Sequence, residues 1–272
     1  MIDLLAITNS PDTAACLDLI EGLRVFIDLE RNGKAQRQSG RNTFISTHTV
    51  DQIAPVKAVL NHAKLMVRVN PYQPHNVAAC ATEIGAVLAQ GADMIMLPMF
   101  KNAADLQAFA RLVDGRVPIV ALLETAAALE SLEDWINTPG LYEVFVGLND
   151  LHVSLGSSFM FEPLAIGHVE RVAQAAKLHG LRFGFGGIAR LNEGALSGRD
   201  VLAEHVRLGS NAVILSRTFF NTDSAESAIH AIADLRRCES ALALRSSVEV
   251  KTDQERITAL IHQLAKQLSA AP

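Results

Sequence analysis

The sequence is short of cysteine, basic clusters and long apolar runs, and each shortage excludes something. Its three cysteines, Cys16, Cys80 and Cys238, stand far apart in a chain of 272 residues. An odd, scattered set makes no disulfide framework and fits reduced thiols in a cytoplasmic protein. None has a CxxC neighbour, which argues against a zinc site built from them. The formal net charge is −5 with both signs interspersed, so nothing marks a nucleic-acid partner. No uninterrupted apolar stretch approaches the roughly 18 residues of a membrane span, and no membrane partner is expected. The N-terminus lacks a basic region followed by an apolar one, and Asp3 stands where a signal peptide would be positive.

What the chain does have is apolar residue, 49% of the total, enough for one large core. Short, nearly continuous apolar runs recur, each followed by a helix-like stretch. They predict strands at 4–9, 25–30, 65–70, 94–98, 119–124, 144–148, 182–186 and 212–216. Strands buried on both faces read this way, as in a parallel sheet covered by helices. Helices are expected at 75–90, 103–113 and 165–179. Eight such units predict an α/β fold, a closed (β/α)₈ barrel of about 250 residues. A dinucleotide-binding open sheet would want a glycine-rich turn after the first strand, and Asn9-Ser10-Pro11-Asp12 is not one. Two regions break the repeat. Residues 31–48 form a long polar insertion after the second strand, in which 43–47 can pair as an extra strand. The tail reads as two amphipathic helices, 225–244 and 253–268. The expected organisation is a barrel over 1–222 and a helical extension over 223–272. The apolar faces of that extension need cover from the barrel or from a second copy, and a homo-oligomer is expected.

In such barrels chemistry gathers where strands end. Asp28 and Glu30 end the second strand, Arg68 and Asn70 the third, and Glu124 the fifth. Asn149 and Asp150 follow the sixth, and Gly186-Gly187 the seventh. A charged group at the end of an apolar strand needs a partner or a ligand. Pairing at the rim explains any one of them, but less easily all of them at one mouth. Glu124 and Asp150 lie on neighbouring strands, so their carboxylates can converge. Hard oxygen donors without nearby His or Cys suit Mg²⁺, or Mn²⁺ and Co²⁺ in its place. Arg68 can stabilise negative charge on a bound oxygen. The glycine-rich stretch 184–190 reads as a turn that exposes N–H groups to an anion, with Arg190 as a further donor; tight packing explains the glycines as well. As general base the candidates are His48, which closes the insertion, His152, two residues past Asp150, and a metal-activated water. His205 reads as structural. A Schiff-base lysine finds no place on the fifth to eighth strands, and Lys34 and Lys101 are the only loop lysines at the right end.

These residues also carry a resemblance. Leu122-Leu123-Glu124-Thr125, Val146-Gly147-Leu148-Asn149-Asp150-Leu151, Val67-Arg68-Val69-Asn70-Pro71, Met96-Leu97-Pro98 and Asp28-Leu29-Glu30 resemble the signatures of the HpcH/HpaI aldolase and citrate lyase β-subunit superfamily. The matches run in order over residues 4–220. The resemblance implies a metal-dependent barrel that makes or breaks a carbon–carbon bond beside an enolate. It implies Glu124 and Asp150 as metal ligands and Arg68 as the enolate-stabilising residue. It also implies that backbone N–H groups around Gly147, Leu148, Asn149 and Asp150 hold a substrate carboxylate. The sequence departs from the family's pyruvate aldolases at two positions. Arg31 stands where their His follows the acidic signature, and Lys101 stands where their Asp follows the fourth strand. The first expectation is therefore a lyase or aldolase acting on a 2-oxo acid such as pyruvate and an aldehyde. The second is an acyl-CoA lyase of the malyl-CoA, citramalyl-CoA or citrate lyase type. A barrel that binds a metabolite without catalysis is the reading from another class.

Overall fold

The structure is a computed structural model, and it describes residues 1–33, 46–220 and 225–270. Strands β1 (Asp3–Ile7), β2 (Leu23–Asp28), β3 (Lys64–Arg68), β4 (Met94–Leu97), β5 (Ile119–Leu123), β6 (Leu141–Val146), β7 (Arg182–Ile188) and β8 (Ala212–Leu215) follow one another in chain order. They close into a barrel, with β1 pairing β8 as well as β2. All eight lie where the apolar runs placed them. The differences are at the ends. The runs took Asn9, Glu30, Asn70 and Glu124 into strands, whereas the ladders stop before them and leave them at the mouth.

Alternation along each strand sorts the side chains. Leu5, Phe26, Met66, Met94, Met96, Val120, Leu122, Phe145 and Ala212 form one buried cluster inside the barrel. Their neighbours Leu4, Val25, Ile27, Leu65, Ile95, Ala121 and Val144 belong to the larger cluster under the helices. That double burial is why the strands read as continuous apolar runs. The same alternation puts Arg24 below Phe26 and Asp28 above it. At the N-terminal end Arg24 reaches Glu143 at 2.6 Å and Asp3 at 2.7 Å. Arg182 reaches the same two carboxylates, at 2.6 Å to Asp3 and 3.2 Å to Glu143. Burial alone would lower the Arg24 pKa, but the adjoining Glu143 and Asp3 outweigh it and push it up. Two cations and two anions plug this end of the barrel. Arg24, Glu143 and Arg182, none of them among the expected site residues, each interrupt the start of an apolar strand.

The helices on the outer wall are α1 (Pro11–Leu17), α2 (Ile53–Ala58), α3 (Val77–Ala89), α4 (Ala103–Val113), α5 (Ala126–Glu130), α6 (Leu132–Trp135), α7 (Leu148–Ser154), α8 (Glu162–Ala165), α9 (His168–Leu178) and α10 (Gly198–Leu208). Their starts carry side-chain caps. Ser10 accepts from the Thr13 N–H, Asn102 from Asp105 and Ser197 from Asp200. The helix expected at 165–179 is α9, which starts at His168 after Gly167 with φ 86°; the short α8 precedes it. The glycine-rich stretch is not a turn after β7 but part of it. Gly184 pairs Ala212 and Gly187 pairs Ile214, so β7 carries an extra residue against β8, and Gly186 takes φ 53° there. A Cβ on Gly184 would lie 2.6 Å from the Ala212 carbonyl oxygen and 2.7 Å from Phe145. Close approach of strands explains that glycine.

The tail forms α11 (Ala225–Ala243) and α12 (Ser247–Ala270). The second starts earlier than its apolar pattern because Ser246 and Glu249 cap each other's N–H groups. Ile232, Leu235, Leu242, Ile257 and Ile261 are buried in the outer core. The helices are pinned by Arg236 to the Ile2 carbonyl, Arg245 to the Ala203 carbonyl and Arg256 to Asp200. The barrel covers part of the apolar surface from which a homo-oligomer was expected, and Ile229, Leu244, Val248 and Leu268 stay exposed. Of the insertion, 34–45 lies outside the described residues, and with it Lys34 and most of the expected extra strand; Ser46 and Thr47 are in no strand.

Candidate active site

At the C-terminal end of the barrel the polar residues cluster around Arg68. Its guanidinium donates from Nε to Asp28 Oδ1 at 2.8 Å and from the adjoining nitrogen to Oδ2 at 2.7 Å. This fork fixes the plane of the side chain. The ring of Phe26 lies beneath, 5.6 Å from the guanidinium carbon. The remaining nitrogen approaches Glu30 at 3.5 Å. Burial opposes the charge on Arg68, but Asp28 first, then Glu30 and Glu124, push its pKa up, so it stays a cation.

Glu124 follows β5 and is 2% exposed. Burial is the main reason that its pKa stands well above the ordinary carboxylate value; Glu30 and Asp150 add to the rise, while Arg68 and a bond from Met99 oppose it. That bond runs from the Met99 N–H to Glu124 Oε1 at 3.0 Å. Met99 has φ 55°, the left-handed region that a methionine rarely adopts. No local sequence pattern marks this strained donor. Gly147 supplies the space for the other oxygen, since a Cβ there would lie 2.8 Å from Glu124 Oε2. Asp150 sits in the first turn of α7 and is close enough to act on Glu124. Thus Glu124, Asp150, Arg68, Asp28 and Glu30 share one end of the barrel. Among the described residues no three or more His, Cys, Asp or Glu side chains are grouped to hold an ion.

The other expected site residues take varied places. The Asn70 side-chain oxygen Oδ1 accepts the N–H groups of Arg31 at 2.9 Å and Asn32 at 3.0 Å. Its amide donates to Glu83 at 2.7 Å. Both ends of that side chain thereby brace the neck of the insertion. His48 does return to the mouth. It is buried, and its Nδ1 accepts the Asp28 N–H at 3.2 Å. His152 places Nδ1 3.0 Å from the Leu148 carbonyl oxygen. That oxygen can only accept, so the neutral ring carries its proton on Nδ1 and its lone pair on Nε2. Leu148 is buried beneath Gly186, whose Cβ would lie 2.9 Å from it, and Asn149 is exposed. Gly187 lies within β7. Arg190 donates to the Phe219 carbonyl oxygen at 3.3 Å and to Ser227 at 3.1 Å, which joins the loop after β7 to α11. The Lys101 side chain is exposed at the rim.

Comparison with known proteins agrees with this architecture. A profile of the HpcH/HpaI aldolase/citrate lyase family matches residues 8–209. A (3S)-malyl-CoA thioesterase of Cereibacter sphaeroides is 36% identical over 91 residues, which cover 33% of this chain and 32% of that protein. The chain thus aligns with about a third of the length of that curated relative. Among solved structures, an HpcH/HpaI aldolase/citrate lyase family protein from Burkholderia cenocepacia J2315 superposes with a TM-score of 0.62 at 17% identity, over 86% of this chain and 95% of that one. A citrate lyase from Burkholderia xenovorans LB400 gives 0.60 at 14%, over 100% and 94%. At such identities the structures share the fold.

Proposed function

The chain belongs to the HpcH/HpaI aldolase/citrate lyase family, a family of lyase- and aldolase-like enzymes, and on that premise we propose that it is a metal-dependent carbon–carbon lyase. Its substrates in this reading are a 2-oxo acid of the pyruvate kind and an aldehyde. The observation that carries the reading is the crowding of carboxylates at the mouth. Asp28 is neutralised by Arg68, yet Glu30 and Asp150 both bear on Glu124, which is held well above its ordinary pKa mainly by burial. A divalent cation relieves such crowding, and two oxygen donors, Glu124 and Asp150, leave room for substrate oxygens, as Mg²⁺ requires. When bound, the ion would act as a Lewis acid on the keto oxygen.

The chain's own residues do the rest. Arg68, fixed in plane by Asp28, presents a cation beside the keto oxygen as charge grows there. Met99 and Gly147 hold Glu124 in one orientation. The first-turn N–H groups of α7, at Leu148, Asn149 and Asp150, face the substrate carboxylate. His152, with its lone pair on Nε2, takes or returns the substrate proton. The test is a turnover screen of 2-oxo acids against a panel of aldehydes with Mg²⁺, Mn²⁺ and Co²⁺. Metal-dependent carbon–carbon cleavage or formation is expected, and equal turnover after chelation contradicts the reading.

The stretch shared with the malyl-CoA thioesterase supports a second reading, in which an acyl-CoA ester replaces the free acid. Thermal shift separates them. Stabilisation by pyruvate or oxalate with Mg²⁺ favours the first, and stabilisation by acetyl-CoA with Mg²⁺ favours the second.

A further inference from the structure

We propose that His48 is a positioning residue that completes the β1–β2 edge at the mouth and holds Asp28 in place through a fixed Nδ1 acceptor. It does not take the substrate proton. The last rung between these strands runs from the Thr8 N–H to the Phe26 carbonyl at 3.2 Å. In a parallel ladder the next rung would take the Asp28 N–H back to the Thr8 carbonyl. β1 has already ended at Ile7, and the chain turns away into the cap of α1 at Ser10. His48 Nδ1 supplies the acceptor instead, at 3.2 Å. On the other side of β2 the regular pattern continues, with the Leu29 N–H on the Arg68 carbonyl at 2.9 Å.

A peptide N–H can only donate. Nδ1 must therefore carry the lone pair, and the neutral ring keeps its proton on Nε2. Accepting a second proton would break the bond to Asp28. The backbone around His48 is equally fixed. Its N–H donates to Ser46 Oγ at 3.1 Å, and its carbonyl accepts from Arg31 at 2.8 Å. The capping box of Thr49 and Gln52 starts at the following residue. Arg31, which stands where the pyruvate aldolases have their histidine, thus serves to clasp His48. From His48 the order passes to Asp28, whose carboxylate forks with Arg68.

This inference rests on the proposed lyase reading for its kinetic test but not for its spectroscopic one. Asparagine places an amide oxygen near the position of Nδ1, and glutamine places its amide near Nε2. His48→Ala and His48→Gln should lower kcat by up to about a hundredfold, the scale of a misplaced catalytic group. His48→Asn should recover most of that loss and keep the wild-type pH profile. Imidazole ¹⁵N NMR of the wild-type protein should show Nδ1 unprotonated and Nε2 protonated at neutral pH. A proton on Nδ1 overturns the proposal whatever the reaction. So does a His48→Asn variant as slow as His48→Ala with one limb of the pH profile gone.

Discussion

The two ends of the barrel are built from the same residue types and treat charge in opposite ways. At the N-terminal end Asp3 and Glu143 meet Arg24 and Arg182, two against two, each pair within hydrogen-bond distance. At the C-terminal end Asp28, Glu30, Glu124 and Asp150 gather around Arg68, and burial and like charge hold Glu124 well above its ordinary pKa. The first end satisfies its charges internally and closes the barrel. The second keeps carboxylates together, and Arg68 and the Met99 N–H offset only part of the burial and like charge that bear on Glu124. That contrast separates a plug from a site within one ring of strands.

Substitutions at the two ends should break the contrast in opposite directions. The largest effect on stability is expected at the plug. Glu143→Gln leaves Arg24 and Arg182 to share Asp3 alone and should cost up to about 3 kcal/mol in denaturant unfolding, the low end for a buried pair that loses one member. A cost below 1 kcal/mol would show that this layer is not what closes the barrel. At the mouth, Arg68→Ala should lower turnover by about a hundredfold or more while metal binding by calorimetry stays nearly intact. Arg68→Lys should restore little, because a point charge cannot reproduce the fork that Asp28 receives.

His205 sharpens the comparison, because its burial involves no charged partner. It stacks on Phe185 at 3.7 Å and bonds Ser210 through Nδ1 at 2.8 Å. Burial pushes its pKa down to about 3 from 6.5. A neutral histidine in the fold contributes stability that is present above pH 6.5 and lost as pH falls toward 3. The loss should be about 1.4 kcal/mol per pH unit. Urea midpoints measured across that range should flatten in His205→Gln; an unchanged slope would place the acid sensitivity elsewhere. Glu124 has the opposite sign. Its folded pKa is raised, so its contribution is present below the ordinary carboxylate value and lost as pH rises. Glu124→Gln should therefore stabilise the metal-free protein at neutral pH while abolishing metal binding. A less stable variant would mean that Glu124 is already compensated.

The strands were legible because burial on both faces leaves few polar residues in them, and the mouth was legible because Asp28, Arg68 and Glu124 stand where those runs stop. The plug escaped notice although its signal is of the same kind, a charge at the start of an apolar run, as in Arg24 or Arg182. Met99 left no signal, since a left-handed methionine is set by tertiary contacts and not by local propensity. The glycines of β7 were legible as special, and of their two readings tight packing holds at Gly184 while the turn does not form. A bulge and a backbone approach both ask for glycine, as a turn does. His48 could be placed near the mouth by its position at the end of the insertion. Its bond to the Asp28 N–H could not be foreseen, because it depends on where β1 stops.

The central claim is that the crowded end of the barrel enolises a 2-oxo acid with a divalent cation held by Glu124 and Asp150. Hydrogen–deuterium exchange at C3 of pyruvate, followed by NMR while metal is titrated, tests it most directly. Exchange should depend on added metal, stop with a chelator, and be lost in Glu124→Gln and Asp150→Asn. Exchange that survives the chelator, or that continues in Glu124→Gln at the wild-type rate and metal dependence, would contradict the account.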